Sequence, residues 1–163
     1  EKKQHRGHIL TSARNTLQPA ARLFVNAAGH HRHRTMIVTD QRPTPRQYIA
    51  LCRRSGLHRP TDEARIARMI AEANLVRTVW NGDTLVALLR AWTDWVYVCY
   101  LADIMVAAAY QRSGIGRLLV ADLRARLGDR VQLVAVAAPT ASGFYESIGF
   151  EKSDRTYILR RKQ

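Results

Sequence analysis

The sequence predicts a single α/β (α+β) domain in which strands and helices interleave, and three observations predict it. Residues 100–127 run from an apolar strand pattern through glycines into a helix pattern, a strand-to-helix junction. Asn81-Gly82-Asp83 separates two β-rich runs and signals a hairpin. Taken along the chain, strand patterns interleave with helix patterns from a first strand at 36–39 to two closing strands at 150–153 and 156–161. With 163 residues the chain has the size of one domain, enough to bury roughly two thirds of its unfolded surface.

Met36-Ile37-Val38-Thr39 reads as a short first strand. Thr44 is a good N-cap and Pro45 a good first helical residue; Tyr48, Ile49, Leu51 and Cys52 then form an apolar face that Gly56 ends. Thr61 is expected to cap a second helix, with Asp62 and Glu63 in its positive first turn and Ile66, Met69, Ile70 and Ala73 as its buried stripe. Residues 75–80 and 84–92 are the strands of the hairpin, Thr93-Asp94 the next turn, and 95–106 a long strand. The third helix follows Gly114, its face marked by Ile115, Leu118, Leu119 and Leu123. Gly128-Asp129 turns the chain into a strand at 131–136. Pro139 starts a short helix that runs through Ser147 and stops at Gly149, and 150–153 and 156–161 close the chain as two strands. No internal repeat or low-complexity tract interrupts this order.

The net charge of +13 is unevenly spread. Residues 1–35 contribute +6 and hold five of the six histidines; residues 36–163 contribute +7. We place a composition boundary at Thr35/Met36. The segment before it begins at Glu1, not Met, and is expected to be an extension outside the domain, with Met36 a plausible original start. His30-His31-Arg32-His33-Arg34 fits no standard zinc spacing, so no metal is expected. No run approaches the ~18 apolar residues of a membrane span. Cys52 and Cys99 form no framework, which points to a reducing, cytoplasmic compartment.

The chemistry concentrates at Gln111-Arg112-Ser113-Gly114-Ile115-Gly116-Arg117. Glycines there let backbone approach a ligand, and a helix start leaves N–H groups pointing outward. With the helix dipole, Arg112 and Arg117 complete an anion site suited to a pyrophosphate. Neither a nucleotide-hydrolysing P-loop nor a dinucleotide fingerprint is present. The stretch resembles the Gln/Arg-x-x-Gly-x-Gly/Ala signature of the GNAT superfamily of acetyl-CoA-dependent N-acetyltransferases, and Leu101-Ala102-Asp103-Ile104-Met105-Val106 resembles that family's fourth strand. About 30 residues on, Ala141-Ser142-Gly143-Phe144-Tyr145-Glu146-Ser147-Ile148-Gly149-Phe150 is similar to its Ala-x-x-Phe-Tyr-x-x-x-Gly-Phe. The resemblance covers residues 36–163, about four fifths of the chain. One departure stands out: Ala138 occupies the place where many relatives carry a cofactor-contacting asparagine.

The resemblance implies a central mixed, mostly antiparallel sheet of about seven strands flanked by about four helices. It implies acetyl-CoA as cosubstrate, contacted by Ile104, Met105 and Val106 and by Gln111 through Arg117. It also implies that the fourth strand splays from the fifth, freeing backbone groups near Val106, where an N–H could stabilise an oxyanion. Tyr145 takes the role of the tyrosine that protonates the departing thiolate, as a phenol of pKa ~10 can for a thiolate of ~8.5. A helix tyrosine merely packed under the sheet is the alternative. Asp103 is the best acid for a general base, with a structural ion pair to an arginine as its alternative. Period 2 puts Leu101, Asp103 and Met105 on one face of the strand and Tyr100, Ala102, Ile104 and Val106 on the other. His58, between the first two helices, is the next candidate base. Most of Trp80, Trp92, Trp95, Tyr97 and Tyr100 are expected in the core or in cross-strand pairs, with Tyr97 or Tyr100 candidates to line an acceptor pocket.

The function so read is acetyl transfer to a primary amine of an unidentified small molecule, peptide or protein. Nucleic-acid binding is the competing class, motivated by the charge but lacking any recognition motif; a tRNA-directed transferase would merge the two. A non-catalytic acyl-CoA-binding domain is the third. The chain is expected to be a monomer or homodimer without membrane partners. Acids are too few in 36–163 to favour a polyamine acceptor.

Overall fold

The structure, a computed structural model, describes residues 21–26 and 33–162. Six strands form one sheet whose spatial order follows the chain: β1 (Arg22–Asn26), β2 (His33–Thr39), β3 (Leu75–Asn81), β4 (Thr84–Thr93), β5 (Val98–Val106) and β6 (Gln132–Ala135). Neighbours run antiparallel up to β5, and β5 and β6 run parallel. Four helices flank it: α1 (Pro45–Ser55), α2 (Glu63–Ala71), α3 (Ile115–Leu127) and α4 (Ser142–Ser147). The predicted fold class is therefore what forms, with six strands among the described residues where about seven were expected.

Local chemistry explains the helix ends. Thr44 Oγ1 accepts from the Gln47 backbone N–H while Gln47 Oε1 accepts from the Thr44 N–H, a reciprocal cap on α1. Asp62, not Thr61, caps α2, its carboxylate accepting from the Arg65 N–H at 2.7 Å. A charged acceptor makes the stronger bond to a helix N–H, so the cap falls one residue later than predicted. At Gly56 and Gly128 φ is positive (78° and 75°), a conformation that suits glycine at helix ends.

Two apolar layers sandwich the sheet. Met36, Val38, Leu89, Leu101, Leu119 and Leu123 pack on the α3 side; Tyr48, Leu51, Ile66, Leu88 and Met105 pack on the α1 and α2 side. Arg77 of β3, 3% exposed, donates to both carboxylate oxygens of Asp122 (2.7 and 3.2 Å), and Arg126 reaches the same group at 3.1 Å, so an ion pair pins α3 to the sheet.

Three expectations are corrected. First, the register slips between Arg90 and Ala91, which face Asp103 and Leu101, so Ala102 bulges. The bulge breaks the period of 2: Leu101 joins the α3-side core, whereas Met105 joins the α1 side and Asp103 bonds Tyr48 of α1. Second, the boundary at Thr35/Met36 cuts through β2, and β1 lies upstream of it. Ala21, whose carbonyl accepts from the Val38 N–H at 3.0 Å, packs on the core. Residues 1–20 and 27–32 of the proposed extension, His30 and His31 among them, lie outside the described residues. Third, 150–153 and 156–161 form no strands; Tyr157 and Leu159 are fully exposed. Rich in charge, that segment buries too little apolar surface to offset the entropy of ordering it. Among the described residues no helix is long and apolar enough to cross a membrane.

Candidate functional site

β5 and β6 pair only from Val98↔Gln132 to Leu101↔Ala135, after which β5 continues alone to Val106. Ala107 donates to Val86 O, so ladder alternation turns the backbone groups of Asp103 and Met105 toward β4 and those of Ile104 and Val106 toward the side β6 has left. The expected parting of the strands thus exists, with Ile104 and Val106 as its exposed backbone. Met105 spends its backbone on β4.

Beyond Val106 the chain makes a short 3₁₀ turn and enters α3 through two left-handed residues, Arg112 (φ 60°) and Gly114 (φ 88°). A non-glycine residue in that conformation stores strain, as functional loops often do. The first backbone bond of α3 runs from the Leu118 N–H to Gly114 O (2.9 Å), so the N–H groups of Ile115, Gly116 and Arg117 have no helical acceptor. Gly114, Gly116 and Arg117 at this helix start line a cleft of about 770 Å³. Eight of the ten predicted cofactor residues line it: Ile104, Met105, Val106, Gln111, Arg112, Gly114, Gly116 and Arg117. The other two do not. Ser113 Oγ donates to Tyr110 O and closes the turn, and the Ile115 side chain is buried in the core. Ser55, Gly56 and Leu57 at the end of α1 supply a wall that the sequence did not reveal. Gln111 Nε2 spans the two walls, donating to Val106 O (3.0 Å) and Ser55 O (3.4 Å).

α4 forms the far side. A Cβ on Gly116 would stand 3.0 Å from Phe144 Cε2, so the glycine makes room for that ring. Arg117 Nη2 donates to Ser147 O at 3.1 Å and ties α3 to α4. Tyr145 follows Phe144 but does not line the cleft; its ring packs edge-on against Phe144 and Phe150, with centroids 5.4 and 5.2 Å apart. Burial pushes its phenol pKa up, the Asp103 carboxylate and Tyr100 add to the rise, and Arg59 opposes it.

Asp103 is corrected as a candidate base. Its side chain is wholly buried; Oδ2 accepts from Arg90 Nε (2.5 Å) and Tyr48 OH (2.7 Å), and Oδ1 accepts from Arg59 Nε (2.8 Å). A wholly buried carboxylate whose oxygens are taken up by two guanidiniums and a phenol is a structural partner with no open path to an amine. The ion-pair alternative fits it. Desolvation, then Asp103, pushes the Tyr48 phenol far above its usual range, so it stays a neutral donor. A charged residue in an apolar strand signalled that a partner existed, and the β4–β5 register sets Arg90 opposite it. Tyr48 and Arg59 carried no such signal. His58 lies exposed on the α1–α2 loop. Trp95 and Tyr97 are exposed at the β4–β5 turn, Tyr100 is 41% exposed, and Trp80 and Trp92 are half-buried. Among the described residues no group of three or more His, Cys, Asp or Glu could hold a metal.

A family model, the acetyltransferase (GNAT) domain, matches residues 53–159. The chain belongs to the GNAT family. Solved structures share the fold of this GNAT domain. A protein of unknown function from meticillin-resistant Staphylococcus aureus is 24% identical, over 78% of this chain and 99% of its own, with a TM-score of 0.67. The aminoglycoside N-acetyltransferase AAC(6')-Iy, solved with the bisubstrate analogue CoA-S-monomethyl-acetylneamine, is 16% identical over 78% and 99%, TM-score 0.60. The ribosomal-protein-S18-alanine N-acetyltransferase of Escherichia coli is 23% identical over 72% and 79%, TM-score 0.58. No curated protein matches the chain.

Proposed function

We propose that this GNAT domain transfers the acetyl group of acetyl-CoA to a primary amine. The observation that carries the reading is the start of α3, where three backbone N–H groups have no helical acceptor and Gly114, Gly116 and Arg117 line a cleft of ligand size beside the parted strands. The residues present fit CoA. The N–H groups of Ile115, Gly116 and Arg117, with the Arg112 and Arg117 charges, would hold its pyrophosphate. Ile104 and Val106 would offer backbone groups to its amide-bearing arm. Bound acetyl-CoA supplies an activated acyl group; the chain's own part is to hold it, exclude water and supply a proton.

Tyr145 is the proposed proton donor, since a phenol raised by burial stays protonated through neutral pH. An amine of pKa near 10.4 is free in only about one molecule in 2,500 at pH 7, equivalent to about 4–5 kcal/mol. With Asp103 committed to arginines, His58 or solvent takes that proton. A cytoplasmic location goes with an acetyl-CoA-dependent reaction and two free cysteines. AAC(6')-Iy and the S18-alanine enzyme show acceptors as different as an aminoglycoside and a protein amine within the fold.

Calorimetric titration with CoA tests the site. Gly114→Val forces a branched side chain into a left-handed position that faces the cleft, and should weaken CoA at least about tenfold in protein that remains folded. Unchanged affinity would remove the assignment. CoA release across a panel of amines then tests the transfer itself.

A further inference from the structure

Asp103 carries one negative charge and faces two guanidiniums. Arg90, 4% exposed in its side chain, matches it from within the core, and Arg59 matches it again from the α1–α2 loop. Tyr48, the third partner, is neutral. Among the described residues neither arginine pairs with any other acid. The cluster therefore holds a surplus of one positive charge, and the surplus falls on the partner that reaches solvent: the Arg59 side chain is 29% exposed.

Its position is informative. Arg59 Nη2 donates to the carbonyl of Ala102 (3.2 Å), the bulged residue next after the last β5–β6 pair, Leu101↔Ala135. The guanidinium thus sits where the two strands part. Nε bonds Asp103 and Nη1 bonds His58 O at 3.0 Å, so of five N–H donors at least one on Nη1 remains for a ligand. Asp103 also fixes the group in place, which lowers the ordering cost of using it for recognition.

We infer that the acceptor is an amine bearing its own carboxylate, an amino acid or the like, and that Arg59 recognises that carboxylate. This rests on the acetyl-transfer reading. A polycationic acceptor would meet like charge where the strands part, and a neutral amine would leave the surplus unmatched. A zwitterion matches it and is held by its anionic end while the amine reaches the acetyl group.

Matched pairs decide it: alanine, methionine and phenylalanine against their amides, with kcat/KM followed by CoA release. The amide has the lower amine pKa and so more free amine, which biases the comparison against the proposal. The parent should favour the acid by about tenfold or more, the size of one charged hydrogen bond. Arg59→Gln should bring the acid-to-amide ratio toward one through KM, and Arg59→Lys should keep part of it. Thermal midpoint and CoA affinity show whether each variant is folded with its cofactor site intact. A ratio near or below one in the parent, or a ratio that Arg59→Gln leaves unchanged, overturns the inference. If CoA binds but no amine is acetylated, the transfer reading has failed instead. Binding of N-acetylalanine against N-acetylalaninamide to the CoA-loaded protein then decides the question for Arg59. Selective binding of the acid, lost in Arg59→Gln, supports recognition, and equal or absent binding overturns it.

Discussion

At the scale of single residues, Tyr145 is the sharpest case. Tyr145→Phe keeps the ring packed between Phe144 and Phe150 and removes only the hydroxyl. If that hydroxyl protonates the leaving thiolate, kcat should fall about a hundredfold with little change in CoA affinity or thermal midpoint. The sign of the pH effect follows from the raised pKa. The phenol stays protonated past its ordinary value near 10, so any alkaline limb it causes in kcat lies above about pH 10 and disappears in the Phe variant. Any stability tied to the protonated phenol is likewise complete below the unfolded value and lost as pH rises through the folded one. A Phe variant that turns over within about threefold of the parent, with chemistry limiting, would leave Tyr145 a packing residue. Asp103 shows the opposite lesson. Its residue type and strand position invite a catalytic role, yet its partners Arg59, Arg90 and Tyr48 hold it as a fixed anion.

At the scale of elements, the first strand pair changes what a truncation should do. Removing residues 1–35 deletes β1 and the start of β2, and with them the Ala21 carbonyl that accepts from Val38. Removing 1–20 spares both. The shorter deletion is expected to leave the thermal midpoint and CoA affinity unchanged, and the longer one to lower the midpoint by several degrees, as the loss of ~1–2 kcal/mol would in a domain of this size. Equal midpoints for the two would show that β1 adds nothing to the sheet. Differential scanning calorimetry reads both. The helices need no such revision, because their caps are written locally in Thr44 with Gln47 and in Asp62.

For the whole molecule, the net charge of +13 remains the main argument for nucleic-acid binding. A surface of that charge should hold random-sequence DNA weakly at about 50 mM salt, and lose most of that affinity by about 200 mM, without preference for sequence. Tight binding that survives the higher salt would revive nucleic acid as the principal ligand. The sequence by itself determined the strand–turn–helix at residues 100–127, the α4 motif, the order of elements from β2 to α4 and eight of the residues that line the cleft beside α3. Each of these rests on local information: periodicity, caps, and glycines where φ turns positive. Only the tertiary structure decided that Ala102 bulges and turns Asp103 toward Tyr48, that Ser55, Gly56 and Leu57 wall the cleft, and that Arg59 meets β5 where β6 leaves it. A bulge depends on the partner strand's register, and a cleft wall on elements about 50 residues apart. Neither leaves a periodic trace in the chain that forms it, because long-range packing selects among conformations that local propensity leaves nearly equal in energy.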